Sequence, residues 1–381
     1  MTFKAGADAG NNGLKLCVKD MNPLMIQSVY SLYMGEKSTE LDAKDIAPEE
    51  LHNNIDVTIA SKSLIGDKAR RYIIGEKVMT DMLDPIEMEK RSDKSTDEMP
   101  LILTLAGLAI QSIRMNKDSD LIHIKYDLSV ALPIKTITPE TAKENADRFM
   151  GKHDVTFHHP SGRDVKIVID IEYCVCLPEG AAGAWGIVFD SNGNTVPRKI
   201  EVNEEIITVD FRNRSMLIFD IGSGTTEMVV MKGVRYIAKL SEGLGYGVKK
   251  TILEIIKRWN HMKSKEIDSI AEFNEIYFDS EHPRHNDLVQ FAETGLYGLA
   301  LQMSQAIINK IDEMKDVPHV FICGGGAAVT HNYLFQILKQ KKRLSTVTFL
   351  KDPMFVNALG LLVYTVSPRF EQRKEEYFET A

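Results

Sequence analysis

Three short stretches of the chain hold residues whose types and spacing suit the handling of a phosphorylated ligand. In residues 217–230 an apolar run ends in Asp220, crosses a turn of Gly222, Ser223, Gly224, Thr225 and Thr226, and resumes after Glu227. Glycine at 222 and 224 permits φ > 0 and leaves room for backbone N–H groups to approach an anion closely. Thr225 and Thr226 add hydroxyl donors beside those amides. Asp220 repels a phosphate, and at the mouth of such a turn it suits a hydrated Mg²⁺. Taken alone, the stretch is equally well an ordinary tight β-hairpin.

The plan occurs twice. Near the N-terminus, Asp8, Gly10, Asn11, Asn12 and Lys15 lie between two apolar runs, with Asp8 matching Asp220 and Gly10 matching Gly222 at an offset of 212 residues (220 − 8). Two similar hairpins so far apart imply a duplicated fold in which each half offers one phosphate-gripping turn to a shared cleft. Lys15 supplies what the second turn lacks, a compact cation for phosphate oxygens. In a third stretch, a short apolar strand runs into Gly324, Gly325, Gly326 and Ala327 and then a helix. Such a turn lets a flat ring or ribose lie against the backbone, and the helix N-terminus favours an anion.

Strands and helices must position these turns. The pattern predicts strands over residues 26–33, 55–60, 71–74, 121–132 and 234–239, with a hairpin turning at Pro160–Arg163. Apolar helices are expected over 100–116 and 180–189, and a helix opening at Gly243–Gly247 and running to Trp259. Leu288, Ala292, Leu296, Leu299, Met303, Ile307 and Ile311 step by three or four along another. Thr138-Pro139-Glu140 is a helix start: N-cap, proline at N1 and an acid in the first turn. Residues 35–50, 190–213 and 267–287 read as polar and irregular, 88–99 as too polar for a core, and 370–381 as a loose charged helix.

At 381 residues and 44% hydrophobic, the chain is long enough for two or more domains with ample cores. A net charge of −8 argues against extensive direct contact with nucleic acid, which needs a basic face. No run approaches the roughly 18 apolar residues that cross a bilayer, and the first strand begins too early to leave room for a signal peptide. The four cysteines, 17, 174, 176 and 323, each lie in an apolar run and read as reduced core thiols of a cytosolic protein. His158, His159, His282 and His285 read as loop histidines, and the basic run 339–343 as an exposed helix end.

The order of the three glycine stretches resembles the actin, sugar-kinase and heat-shock-chaperone ATPase superfamily. Within it the chain looks most like the bacterial actin-like proteins of the ParM type, which segregate plasmids. Val130-Ala131-Leu132-Pro133, Gly66-Asp67 with Ile73-Ile74-Gly75-Glu76, and the run from Leu177 to Ala184 extend the likeness across nearly the whole chain. The resemblance implies the actin-like ATPase fold, α/β, with two duplicated domains around a nucleotide cleft and a smaller lobe inserted in each. The expected boundaries are 1–190 with a lobe at 35–98, and 191–381 with a lobe at 245–290, the C-terminal helix packing back on the first domain. Asp8–Lys15 becomes the first phosphate motif, Asp220–Glu227 the second and Gly324–Ala327 the adenosine motif. Gly243 either touches ribose or α-phosphate or simply starts a helix.

The same resemblance implies ATP or ADP as ligand, with GTP open, and Mg²⁺ held through water by Asp8, Asp220 and Glu227. Heat-shock-type relatives usually carry Asp at the Glu227 position, so the metal role is weakest there. It also places Glu179 at the start of a connecting helix, as the residue that orients the attacking water. The alternative for Glu179 is an acid that merely complements the helix dipole. The implied function is a cytoplasmic bacterial filament whose assembly follows ATP binding and whose shortening follows hydrolysis. Its implied partners are further copies of itself and a DNA-bound adaptor of the ParR type, with no direct nucleic acid and no membrane. A metabolite kinase, a chaperone-like or reactivase ATPase and a chromosomal bacterial actin are the alternatives on this fold.

Overall fold

The computed structural model describes residues 1–35, 45–88, 94, 96–202 and 205–380. The chain divides into two compact units, one of Met1–Val196 with Phe355–Ala381 and one of Pro197–Met354. The first holds strands β1 (Thr2–Gly10), β2 (Gly13–Val18), β3 (Leu24–Gln27), β4 (Val29–Leu32), β5 (Ile55–Ala60), β6 (Arg70–Ile74), β7 (Ile86–Glu87), β8 (Leu121–Leu132), β9 (Gly151–His158) and β10 (Asp164–Pro178). Its helices are α1 (Glu76–Thr80), α2 (Met99–Met115), α3 (Pro139–Phe149) and α4 (Ala181–Val188). The second holds β11 (Arg198–Val202), β12 (Glu205–Val209), β13 (Ser215–Ile221), β14 (Thr226–Lys232), β15 (Arg235–Tyr236), β16 (Glu242–Leu244), β17 (His319–Cys323) and β18 (Val347–Phe349). Its helices are α5 (Val248–Met262), α6 (Ile270–Phe278), α7 (His285–Glu313) and α8 (Ala327–Gln340). The chain then returns to the first unit through α9 (Val356–Thr365) and α10 (Pro368–Thr380).

In the first unit one sheet runs in the order β3-β2-β1-β8-β10-β9-β5-β6-β4-β7. Strands β1, β8 and β10 are parallel, with Ala7 beside Val130 and Val130 beside Cys176, so their C-terminal ends share one edge. The inserted strands continue this sheet, because β5 pairs with β9. Helix α2 is buried on every side from Met99 to Ile113, as expected of a helix that is apolar all round. Thr138 caps α3 as its sequence predicts, in a reciprocal pair of bonds with Thr141.

Small residues let two helices press on each other and on the sheet. A Cβ at Gly360 of α9 would lie 1.9 Å from the Ala182 oxygen of α4, and one at Gly6 of β1 would lie 2.3 Å from the Leu362 nitrogen. Helix α9 is thereby clamped between β1 and α4, which fixes the spacing between the first hairpin and the segment carrying Glu179.

In the second unit the main sheet runs β15-β14-β13-β17-β18, with β16 added on β14. The apolar stripe of α7 is buried from Leu288 to Ile311, as its spacing requires. Several expectations fail locally. The stretch 190–213 contains the hairpin β11–β12, a two-stranded ribbon with Ile206 and Ile207 exposed, so no clean inside-outside alternation marks it. The stretch 26–33 is two strands broken at Ser28. Residues 234–239 form only the short β15 and a 3₁₀ turn, and 267–287 contains α6 under a Ser269 cap. Met88 is buried although its surroundings read as polar; most of 88–99 up to residue 93 lies outside the described residues. The four cysteines are free thiols and buried; burial, with Asp8 adding, pushes Cys17 up to about 12. Among the described residues no helix is long and apolar enough to cross a membrane.

Candidate functional site

The first hairpin pairs Asp8 with Lys15 and Gly10 with Gly13, leaving Asn11 and Asn12 as an exposed two-residue turn. Its carbonyls are tied back by Ser28, whose hydroxyl donates to the Gly10 oxygen at 2.6 Å and whose amide donates to the Asn12 oxygen at 3.4 Å. Among the described residues the amides of Asn11 and Asn12 have no backbone acceptor. A Cβ at Gly10 would stand 3.2 Å from Lys15 Nζ, so the ammonium lies over the strand end beside these amides. Asp8 is buried.

The second hairpin has the same anatomy. Asp220 pairs with Glu227, and the Gly222 amide closes the turn on the Thr225 oxygen at 2.9 Å. The Gly222 and Ser223 oxygens accept from the amides of Val248 and Lys249, at 3.2 and 2.9 Å. Two orphan donors at the start of α5 are satisfied by the turn. Among the described residues the amides of Ser223, Gly224 and Thr225 have no acceptor, and the buried hydroxyls of Ser223 and Thr226 have no hydrogen-bond partner. Buried hydroxyls without partners are disfavoured by about 1–3 kcal/mol each, so this surface fits an incoming oxyanion.

The glycines act through space more than through φ. Neither Gly222 nor Gly224 takes a positive φ, contrary to the sequence expectation; a Cβ at Gly222 would lie 2.6 Å from the Thr225 oxygen. Gly247 caps α5 because a Cβ there would lie 2.4 Å from the Ser223 oxygen. In the triple-glycine turn, Gly324 has φ +91, and a Cβ on it would lie 2.3 Å from Asp220 Oδ1. Gly326 donates to the Ile221 oxygen at 2.8 Å and is wedged against Ile221 and Val248, whereas Gly325 is exposed. Ala327 then begins α8. The turn of the second hairpin, the start of α5 and the glycine turn therefore meet at the C-terminal edge of β13 and β17, where open α/β sheets bind ligands. Gly243 does not start the helix: it lies in β16, opposite Glu227.

Asp220 and Glu227 face each other across the ladder, an arrangement that destabilises like charges unless a cation or proton intervenes. This donor pair fits a divalent cation. Among the described residues no three His, Cys, Asp or Glu side chains form a metal cage, so a cation here would keep most of its water.

Glu179 follows the end of β10 and precedes Gly180, which caps α4 with φ +75. Its amide donates to the Leu132 oxygen at 2.8 Å, and its Oε1 accepts from Lys94 Nζ at 2.6 Å. Lying before the cap, and paired with a lysine, Glu179 is poorly placed to serve the helix dipole, which acts mainly within the first turn. It stands two strands over from the end of β1, roughly 10 Å at ordinary strand spacing. Ser28 and Lys94 carry no signal in the sequence, since each matters through a partner distant in the chain. The remaining candidates are structural: His158 meets Thr58 and Asp164, His285 meets the Ile276 oxygen, and Arg343 pairs with Asp312.

Residues 6–181 match the model of the actin-like protein N-terminal domain, and residues 218–336 match that of the archaeal actin homologue MreB-like C-terminal domain. The fold is the actin-like ATPase fold. Among solved structures it is similar to the actin-like protein Alp7A, with TM-score 0.75 and 17% identity over 100% of both chains. It is also similar to Bacillus thuringiensis ParM with AMPPNP, with TM-score 0.69 and 19% identity over 97% of this chain and 99% of that one. A non-polymerisable quadruple mutant of pCBH ParM follows, with TM-score 0.62 and 15% identity over 98% and 100%. No curated protein matches the chain in sequence.

Proposed function

We propose that the chain is a nucleotide-dependent, filament-forming ATPase that moves plasmid DNA through a DNA-bound adaptor of the ParR type. The observation that carries this reading is the pair of hairpins whose carbonyls are tied back and whose turn amides remain open for phosphate oxygens. Asn11, Asn12 and Lys15 suit phosphate oxygens, and so do Gly222, Ser223, Gly224, Thr225 and Thr226. Gly324, Gly325, Gly326 and Ala327 offer the backbone surface for adenosine, with Gly243 nearby on β16. Asp8, Asp220 and Glu227 hold Mg²⁺ through its waters, and the ion neutralises phosphate charge when bound.

Glu179 orients the attacking water through the carboxylate oxygen that Lys94 leaves open. The ParM relatives solved with AMPPNP and with ATP support triphosphate as the ligand class. A ParM whose mutant is named non-polymerisable supports self-association, and the net charge of −8 supports an adaptor in place of direct DNA contact.

Right-angle light scattering after addition of Mg-ATP, with phosphate release followed in parallel, tests the proposal. The expected result is a rise above a critical concentration, then a fall as phosphate accumulates. Hydrolysis without any rise, over all concentrations and with crowding, overturns the filament reading. Glu179→Ala is expected to keep ATP binding and lose hydrolysis, and equal loss of both overturns the assignment of that residue.

A further inference from the structure

Lys94 belongs to the segment between β7 and α2, 85 positions before the residue it grips. The segment is held at its far end. Arg148 of α3 donates to the Asp97 oxygen at 2.7 Å, the Met99 amide donates to Asp97 Oδ1 at 2.9 Å, and the Ile65 amide donates to Glu98. Lys94 lines a small cavity with Ala7 and Ala9 of β1, Leu132 of β8 and Asn145 of α3. It therefore lies against the strand that carries Asp8. The ion pair is largely shielded, with the Lys94 and Glu179 side chains 14% and 11% exposed. Its Nζ donates to Oε1 of Glu179, and among the described residues Oε2 has no hydrogen-bond partner.

A shielded ion pair contributes little net stability compared with apolar residues of the same size. What it does supply is a fixed rotamer for a carboxylate. Resting on the assignment of Glu179 made above, we infer that Lys94 is a positioning residue for hydrolysis: it anchors Oε1 so that Oε2 aims at the attacking water. Misplacing a catalytic group by about an ångström lowers turnover by up to roughly 100-fold. The effect falls on kcat, because Lys94 acts on the water-orienting group and not on the nucleotide.

The test uses the full chain and Mg-ATP, with phosphate release and the affinity for a fluorescent ATP analogue measured together. Lys94→Met is expected to lower kcat about tenfold with KM and analogue affinity unchanged. Lys94→Arg, which keeps a donor, restores most of the rate. In a Glu179→Gln background, Lys94→Met adds no further loss, since the two residues act as one unit. Faster hydrolysis by Lys94→Met, or the same fractional loss with and without Glu179, overturns the inference. Wild-type hydrolysis by Glu179→Gln removes the assignment of Glu179 and the inference with it. An inactive Glu179→Gln beside an unaffected Lys94→Met overturns the role of Lys94 alone. Should Lys94→Met fail to fold, Lys94→Gln carries the same comparison.

Discussion

The two glycine hairpins are the same device with opposite charges. Each has eight residues from its aspartate to the residue facing it, Asp8 to Lys15 and Asp220 to Glu227, and the same 212-residue offset relates both ends. In both, the turn carbonyls are bound from behind, by Ser28 in one and by the start of α5 in the other. The facing residue differs: an ammonium across from Asp8, a carboxylate across from Asp220. The first hairpin sets a cation across from its acid, near Gly10. The second sets two acids across from each other. Under the proposed function, one residue at one ladder position gives the first turn an added cation for phosphate and the second an added acid for the metal.

The division is open to attack. Lys15→Glu turns the first ladder position into a copy of the second, and removing and inverting that charge is expected to weaken ATP binding by about 100-fold or more. Titration with a fluorescent ATP analogue reads the change; binding within threefold of wild type would refute the phosphate role of Lys15. Gly324→Ala attacks the second hairpin from its neighbour, where φ is +91 and a Cβ would strike Asp220. About 1–3 kcal/mol of strain is expected, read as a fall in the denaturant midpoint and a loss of the Tm gain on adding Mg-ATP.

Ser28→Ala frees the Gly10 carbonyl of the first turn while the backbone amide still holds that of Asn12. It should destabilise the protein by about 1 kcal/mol and weaken nucleotide binding several-fold, with the dependence on Mg²⁺ intact. The smallest effect also has the most informative sign. Glu227→Gln relieves two facing acids, so without nucleotide it should raise stability by up to about 1 kcal/mol, seen as a higher Tm. The same variant should need more Mg²⁺ for hydrolysis; an unchanged Mg²⁺ requirement would return Glu227 to a structural role.

Much of this was legible before any coordinates. The cap of α3, the stripe of α7 and the small-residue α4 are set by short-range patterns, and each takes its expected form. What failed to read were features with weak local pattern. The ribbon β11–β12 is exposed on much of its surface, and the sequence of β16 reads as the start of the following helix because glycines mark both turns and helix starts. The sequence offers Gly222 for its φ freedom, yet the reason glycine stands there is the nearness of the Thr225 backbone, which a linear sequence does not display.

The sequence by itself determined the turn chemistry: which loops carry glycine, hydroxyls and acids, that the plan is repeated, and that one copy has a lysine where the other has a glutamate. Only the tertiary structure decided which atoms of those turns are left to bind. Ser28 and the first turn of α5 consume the carbonyls, α9 sets the distance from β1 to α4, and Lys94 takes one oxygen of Glu179 and leaves the other. The reason is physical: donor and acceptor capacity is written residue by residue, whereas its satisfaction depends on which distant segments packing brings within about 3 Å.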